Sequence, residues 1–517
     1  MKIPTSLTSL FIPSLLISIT LTGSSPSLAS ESQDAANSTG KLVSRQMKIT
    51  NIVDPQKRDL RDQYGRTELM LASKRGDLAE VQTLIDYRAK IDLRDNAGYT
   101  ALHYALLNGN TSVGELLIKR KANIHLPDSY GRSPLYLAAE NGDKTLAAIL
   151  LEHGADPNSH AHNKVSVLQI ALALGNHAIA ELILNAGADV HYKDSNSKTA
   201  LFYAADMGDA DIIRQLLEKG ASIAWKDNSK SLPLHYAALS GDLASVKLLV
   251  NTHNINEKQG DNNTALMLSS EEGHTEIVSY LLLSGASINA YDTNHQTALM
   301  FASHNGYNDV VKLLLDHKAA INSQNSNGET ALHLAINQHH LPVINTLLAH
   351  HADIEARDKQ GNTPLLLAAN DDNAVIVEIL LDNAADPYAT NNQLHNALIL
   401  AAKQPQSESL NSLMKIKPLL QQQDTQGRNA LHWAVKTAQL ENTERLLQSG
   451  IAIDKPDRHG RTPLMLAAIL GNKPITHALL NAGANLSAQD ANGNTAVRWA
   501  QKKGHSDFAL WLEQKVR

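Results

Sequence analysis

A chain of 517 residues with a net charge of −6 lacks the basic excess with which nucleic-acid binders hold phosphate, so no nucleic-acid partner is expected. Cysteine is absent, which excludes disulfides and thiolate–metal sites. Aromatic residues make up 4% of the chain against 43% hydrophobic residues overall, so its core must be built from Leu, Ala, Ile and Val, as in thin helical layers.

The first element in chain order is a candidate export signal. Lys2 is the only charge before Glu31, and an apolar run from Leu10 to Leu21, broken by Pro13, follows it. Ser27-Leu28-Ala29 then places small residues at −3 and −1 of a cleavage point after Ala29. A membrane-spanning helix would need about 20 strongly apolar residues. The pattern predicts a cleaved secretory signal over 1–29, a chain exported to a periplasm or secreted, and no stable membrane insertion after cleavage. Residues 30–61 read as a polar linker with a capping helix around Leu42 to Ile52.

From Leu69 onward one leucine returns with a fixed step: Leu69, Leu102, Leu135, Leu168, Leu201, Leu234, Leu266, Leu299, Leu332, Leu365, Leu398, Leu431, Leu464, then Val497. Every step is 33 residues except one of 32, between Leu234 and Leu266. A long fixed period means stacked copies of one supersecondary unit. In Asp457-Arg-His-Gly460-Arg-Thr462-Pro463-Leu464, the threonine is placed to cap a helix and the proline to occupy its first turn. The residue three after the leucine is Ala in thirteen units and Ser269 in the other, small enough for close helix approach. Gly471 stands where that helix should end, a second apolar run follows, and Gly-Ala pairs such as Gly154-Ala155 close several units.

These units resemble the ankyrin repeat, of 33 residues and signature T-P-L-H-x-A. The resemblance covers 62–517 in fourteen units: 62–94, 95–127, 128–160, 161–193, 194–226, 227–258, 259–291, 292–324, 325–357, 358–390, a divergent 391–423, 424–456, 457–489 and a C-terminal cap at 490–517. It implies an all-α solenoid of helix-turn-helix units with projecting hairpins. Hairpin tips and first helices then line a concave side. The helix-ending glycine runs from Gly76 to Gly306 and returns at Gly471 and Gly504, but His339, Asp372, Pro405 and Ala438 replace it in repeats 9 to 12. Either these units have drifted, or the stack bends near repeat 11.

No catalytic constellation emerges: there is no H-E-x-x-H, no P-loop and no G-x-S-x-G. Asp62, Asp95, Asp128, Asp194, Asp227, Asp292 and Asp358 each open a unit, where Asp bonds nearby backbone. Of the 23 histidines, His103, His235, His333 and His432 fall on the H of the repeat signature, for which the resemblance implies a structural hydrogen bond. The pairs His339-His340 and His350-His351 lack converging zinc-ligand spacing, so neither metal nor cofactor is expected. The resemblance implies a monomeric, non-enzymatic scaffold for protein partners. Its alternatives are a secreted effector engaging eukaryotic host proteins and an enzyme with a loop-grafted site. The positions that the period leaves free are richest in Tyr and Arg at Tyr64, Arg66, Lys74 and Arg75 in repeat 1, Tyr99 in repeat 2, and Tyr130 and Arg132 in repeat 3. Such side chains anchor protein interfaces, here for a partner of acidic character.

Overall fold

The computed structural model describes residues 58–516. The expected signal segment and all but the last residues of the linker lie outside that range. The described residues form twenty-eight α-helices and one 3-10 helix, with two isolated β-bridges, His160 to Ser166 and Tyr291 to Thr297. This is the expected all-α architecture. None of the helices is long and apolar enough to cross a membrane. The structure divides into two compact units that part between Asn123 and Ile124.

The first unit holds two helix pairs, Glu68–Arg75 with Leu78–Asp86 and Ala101–Leu107 with Thr111–Lys119. The second runs from Pro134–Asn141 to the terminal helix Ser506–Val516 in the same alternation. In each unit first helices pack on first helices and second helices on second helices. The thirteen periodic leucines are at most 2% exposed, and Ser269 and its alanine equivalents are at 0%. A larger side chain there would force the backbones apart, so the period in the sequence is the period of the core.

Local chemistry sets the helix ends. Thr67, Thr462 and Ser133 cap their helices by accepting from Met70, Met465 and Tyr136 N–H groups. Gly76, Gly142, Gly306 and Gly471 end first helices in the left-handed region. There is a second reason for glycine that periodicity alone does not reveal. A Cβ on Gly76 would lie 2.6 Å from Asn110 Oδ1, and one on Gly306 2.7 Å from His340 Cε1. Those neighbours use the close approach: Asn110 Nδ2 donates to Ser73 O at 2.8 Å, and His340 Nε2 bonds His304 O at 2.9 Å. His274 and His505 make the same tie to Leu239 O and Ile469 O.

The signature histidines also act structurally. His103 and His333 Nδ1 each face their capping threonine Oγ1 at 2.8 Å. From the other ring nitrogen His333 and His432 reach carbonyls of the next repeat, those of Asn362 and Arg461, and His235 reaches that of Glu257 at the end of its own 32-residue unit. Burial pushes the His432 imidazole down to about 4, so it is neutral at physiological pH.

The loss of glycine in repeats 9 to 12 does not remove the left-handed turn. His339, Asp372 and Ala438 adopt it themselves, with φ of 58°, 55° and 59°. Proline cannot, so in repeat 11 the turn moves one residue on, to Gln406 at φ 49°. The largest departure from regular structure is in repeat 11, whose helices Ala397–Ala402 and Ser409–Met414 have six residues each and are followed by the 3-10 helix Lys417–Gln421. The 32-residue unit lacks a Gly-Ala closure, and buried Asn254 replaces it by donating to Leu249 O at 2.7 Å and accepting from Asn251 N–H at 2.7 Å.

Candidate interaction surface

The hairpins have a common architecture. Oδ1 of the opening aspartate accepts two backbone N–H groups, for instance Tyr64 and Arg66 on Asp62, each at 2.9 Å. Asp128, Asp194 and Asp227 do the same. The other oxygen then takes a side-chain donor from one of two places. Where the first helix carries leucine nine residues on, the residue four on supplies it: Arg66 to Asp62 and Arg132 to Asp128 at 2.8 Å, Arg461 to Asp457 at 2.7 Å, and Asn362 to Asp358 at 2.9 Å. Where an aromatic donor stands nine residues on, it does so instead. Tyr104 bonds Asp95 at 2.7 Å, Tyr203 bonds Asp194 at 2.6 Å, Tyr236 bonds Asp227 at 2.7 Å, and Trp433 bonds Asp424 at 2.8 Å.

This changes the reading of Arg66 and Arg132. Each buckles its own hairpin, and the hydrogen bond from Arg66 holds the Asp62 carboxyl below its usual range. Arg132 also pairs with Glu140 at 2.8 Å. Arg75 is bound to Glu68 at 2.8 Å and Glu80 at 2.7 Å. The charge expected to attract an acidic partner is therefore largely satisfied within the chain. Lys74 is exposed.

The tyrosines remain available. Tyr64 and Tyr130 are 55% and 58% exposed, and each lies under its own arginine, whose guanidinium carbon is 4.7 Å and 5.2 Å from the ring centre. Tyr99 is half-buried, edge-on to Tyr104 at 5.7 Å between centroids. In the first unit Tyr64, Arg66 and Tyr99 converge with Asp95, Asn96, Ala97 and Tyr104 on a hollow of about 230 Å³. Lys74 and Arg75 do not line it, and Tyr130 and Arg132 belong to the second unit.

A larger hollow of about 380 Å³ lies in the second unit, lined by amides (Gln360, Asn362, Asn370, Asn391, Asn392, Gln393) with Lys359, His395 and Lys403. Beside it, His395 stands edge-on to Trp433 at 5.1 Å. The Lys403 and Lys436 ammonium groups lie 5.0 Å and 4.1 Å from the indole centre. Sequence reasoning missed this cluster, although the signal is present: Lys403 and Lys436 are one period apart, at equivalent positions of adjacent first helices. Among the described residues no group of three or more His, Asp or Glu side chains is placed to hold a metal ion.

Comparison with known families bears on most of the array. A family model described as ankyrin repeats (3 copies) matches in overlapping blocks at 34–128, 69–161, 135–227, 167–259, 234–325, 266–358, 317–391 and 346–424, and in a separate block at 453–516. The chain belongs to the ankyrin repeat family. No curated protein matches it in sequence. The ankyrin repeats account for its periodic leucines, small core residues, capped helices and buckled hairpins. The hollows occur where ankyrin hairpins meet first helices, and are lined both by hairpin-forming residues such as Asp95 and Tyr104 and by positions the period leaves variable, such as Tyr64 and Tyr99.

Proposed function

We propose that this ankyrin array is a non-enzymatic scaffold that binds a protein partner on the surface formed by its hairpins and first helices. The observation that carries this reading is the presentation of Tyr64 and Tyr99 at a preformed hollow, with Tyr64 held flat beneath Arg66. An aromatic ring already fixed loses little freedom on binding, which is how interface anchors gain affinity. Because Arg66, Arg75 and Arg132 are internally paired, the aromatic faces rather than net charge select the partner at this end. The N-terminal order of Lys2, apolar run and Ser27-Leu28-Ala29 supports export, with a mature chain starting at Ser30 in a periplasm or outside the cell.

The test is capture and cross-linking with residues 30–517 as bait, repeated with Tyr64→Ala, Tyr99→Ala and Tyr130→Ala combined. A partner retained by the parent and lost by the folded triple variant supports the proposal. Equal retention removes the tyrosines from it, and a chain that retains no protein overturns the scaffold reading. Cell fractionation with N-terminal sequencing tests export; a tagged chain found in a host cytosol supports the effector alternative.

A further inference from the structure

Two residues before the position of the helix-ending glycine, at the C-terminal end of each first helix, stands one further variable position, which at Asn370 and Lys403 lines the larger hollow. Read one repeat at a time from repeat 5, this position is Asp206, Leu239, Glu271, His304, Asn337, Asn370, Lys403 and Lys436. The column is acidic at one end, neutral in the middle and basic at the other. All of it lies within the second compact unit.

The charges at both ends lack ion-pair partners. Among the described residues no carboxylate lies within 4 Å of the Lys403 or Lys436 ammonium, and no cation lies that close to Asp206 or Glu271. The nearby acids at the basic end are already committed. Asp424 Oδ2 accepts from the Trp433 indole at 2.8 Å, and Asp457 pairs with Arg461 at 2.7 Å. At the acidic end, Lys198 rests on the Tyr236 ring, 4.4 Å from its centre. Exposed Met207, the residue after Asp206, adds apolar surface beside it. Loss of hydration raises the Asp206 and Glu271 carboxyls and lowers the Lys403 and Lys436 ammoniums. Asp206 and Lys436 are exposed and Glu271 and Lys403 half-buried, so all four charges stand open to a partner that supplies the missing counter-charge.

We propose that this groove binds an elongated protein segment with charge separated end to end, basic where it crosses Asp206 and Glu271 and acidic where it reaches Lys403 and Lys436. The proposal rests on the scaffold reading and adds the chemistry of the partner. Glu271 and Lys403 are four repeats apart. At about 8–10 Å per packed helix, that is roughly 32–40 Å. An extended segment of about ten residues spans this distance.

The probes are two synthetic peptides of identical composition. One has five lysines, a ten-residue Gly/Ser spacer and five glutamates; the other spreads the same twenty residues with Lys and Glu alternating along the Gly/Ser chain. At low salt the full chain should bind the first about tenfold or more tightly than the second. Lys403→Glu with Lys436→Glu should abolish the preference. Adding Asp206→Lys and Glu271→Lys should restore it, because the peptide can then bind end for end. Equal binding of the two peptides by the parent, or a preference that survives the half-reversed variant, overturns the inference. A chain that captures a protein through Tyr64, Tyr99 and Tyr130 but does not distinguish the peptides keeps the scaffold reading and overturns this one.

Discussion

At the scale of single residues, the hairpin rule shows where a donor is missing. Buried Asp292 accepts from the Asn294 and Gln296 backbones at 2.8 Å and 2.6 Å, but Gln296 and Phe301 occupy the two donor positions. Burial accordingly raises its carboxyl. Phe301 is equivalent to Tyr203 and Tyr236, so Phe301→Tyr should place a hydroxyl on the unused oxygen. The expected gain is about 1–2 kcal/mol in urea unfolding at pH 7. Because the new bond stabilises the carboxylate, the gain should shrink as pH falls through the raised range in which the parent's Asp292 takes up its proton, and vanish once the carboxyl is protonated in both proteins. A variant no more stable than the parent at pH 7 would contradict the rule. A second residue-scale test concerns Ala438, whose φ of 59° disfavours a side chain. Strain of roughly 1–2 kcal/mol is relieved by glycine and partly offset by a freer unfolded chain, so Ala438→Gly should stabilise by about 0.5–1 kcal/mol in the same assay.

At the scale of elements, repeat 11 shows how a poor unit survives in a stack. Its two short helices are joined by a loop that both neighbours hold. From repeat 10, Asp372 accepts the Ser407 hydroxyl at 2.5 Å and the Ser409 N–H at 3.0 Å. From repeat 12, buried Asn442 accepts the Ser407 N–H at 3.0 Å and donates to Gln404 O at 2.6 Å, while Arg445 donates to Ser407 O at 2.9 Å. Asn442→Ala should therefore cost about 2–3 kcal/mol, since it leaves buried backbone groups unpaired. Hydrogen exchange should localise the loss to the loop around Ser407, whereas exchange spread evenly along the array would argue against the clamp. The sequence marks repeat 11 as irregular through Pro405, because proline chemistry is local. It does not reveal the clamp, whose partners are 35 residues or more away and carry no periodic signature.

At the scale of the whole molecule, the fold was legible because every unit repeats the same core solution, so Leu332 and its equivalents announce it many times over. The surface was only partly legible. Tyr64 and Tyr99 were identifiable as positions the period does not dictate, but whether Arg66 is available depends on the residue at position 71, a leucine that leaves Asp62 without an aromatic donor. The charge column becomes apparent once first-helix positions are read across repeats as a single face. That face predicts a measurable cost. Burial, with the Glu272 and Asp292 charges, pushes the Glu271 carboxyl up to about 7, against an ordinary value of 4.5. The next repeat offers it His304, itself held neutral-leaning by burial, and Asn305, which donates to the Glu271 carbonyl at 2.8 Å. Between pH 4.5 and 7 the folded chain binds a proton that the unfolded chain releases, so stability falls as pH rises through that window. Glu271→Gln removes this contribution. The variant should exceed the parent by about 1–2 kcal/mol at pH 8, discounted for partial solvent access, and converge with it below about pH 4.5. A pH-independent difference would show that Glu271 titrates normally and that the acidic end of the column carries no stored cost.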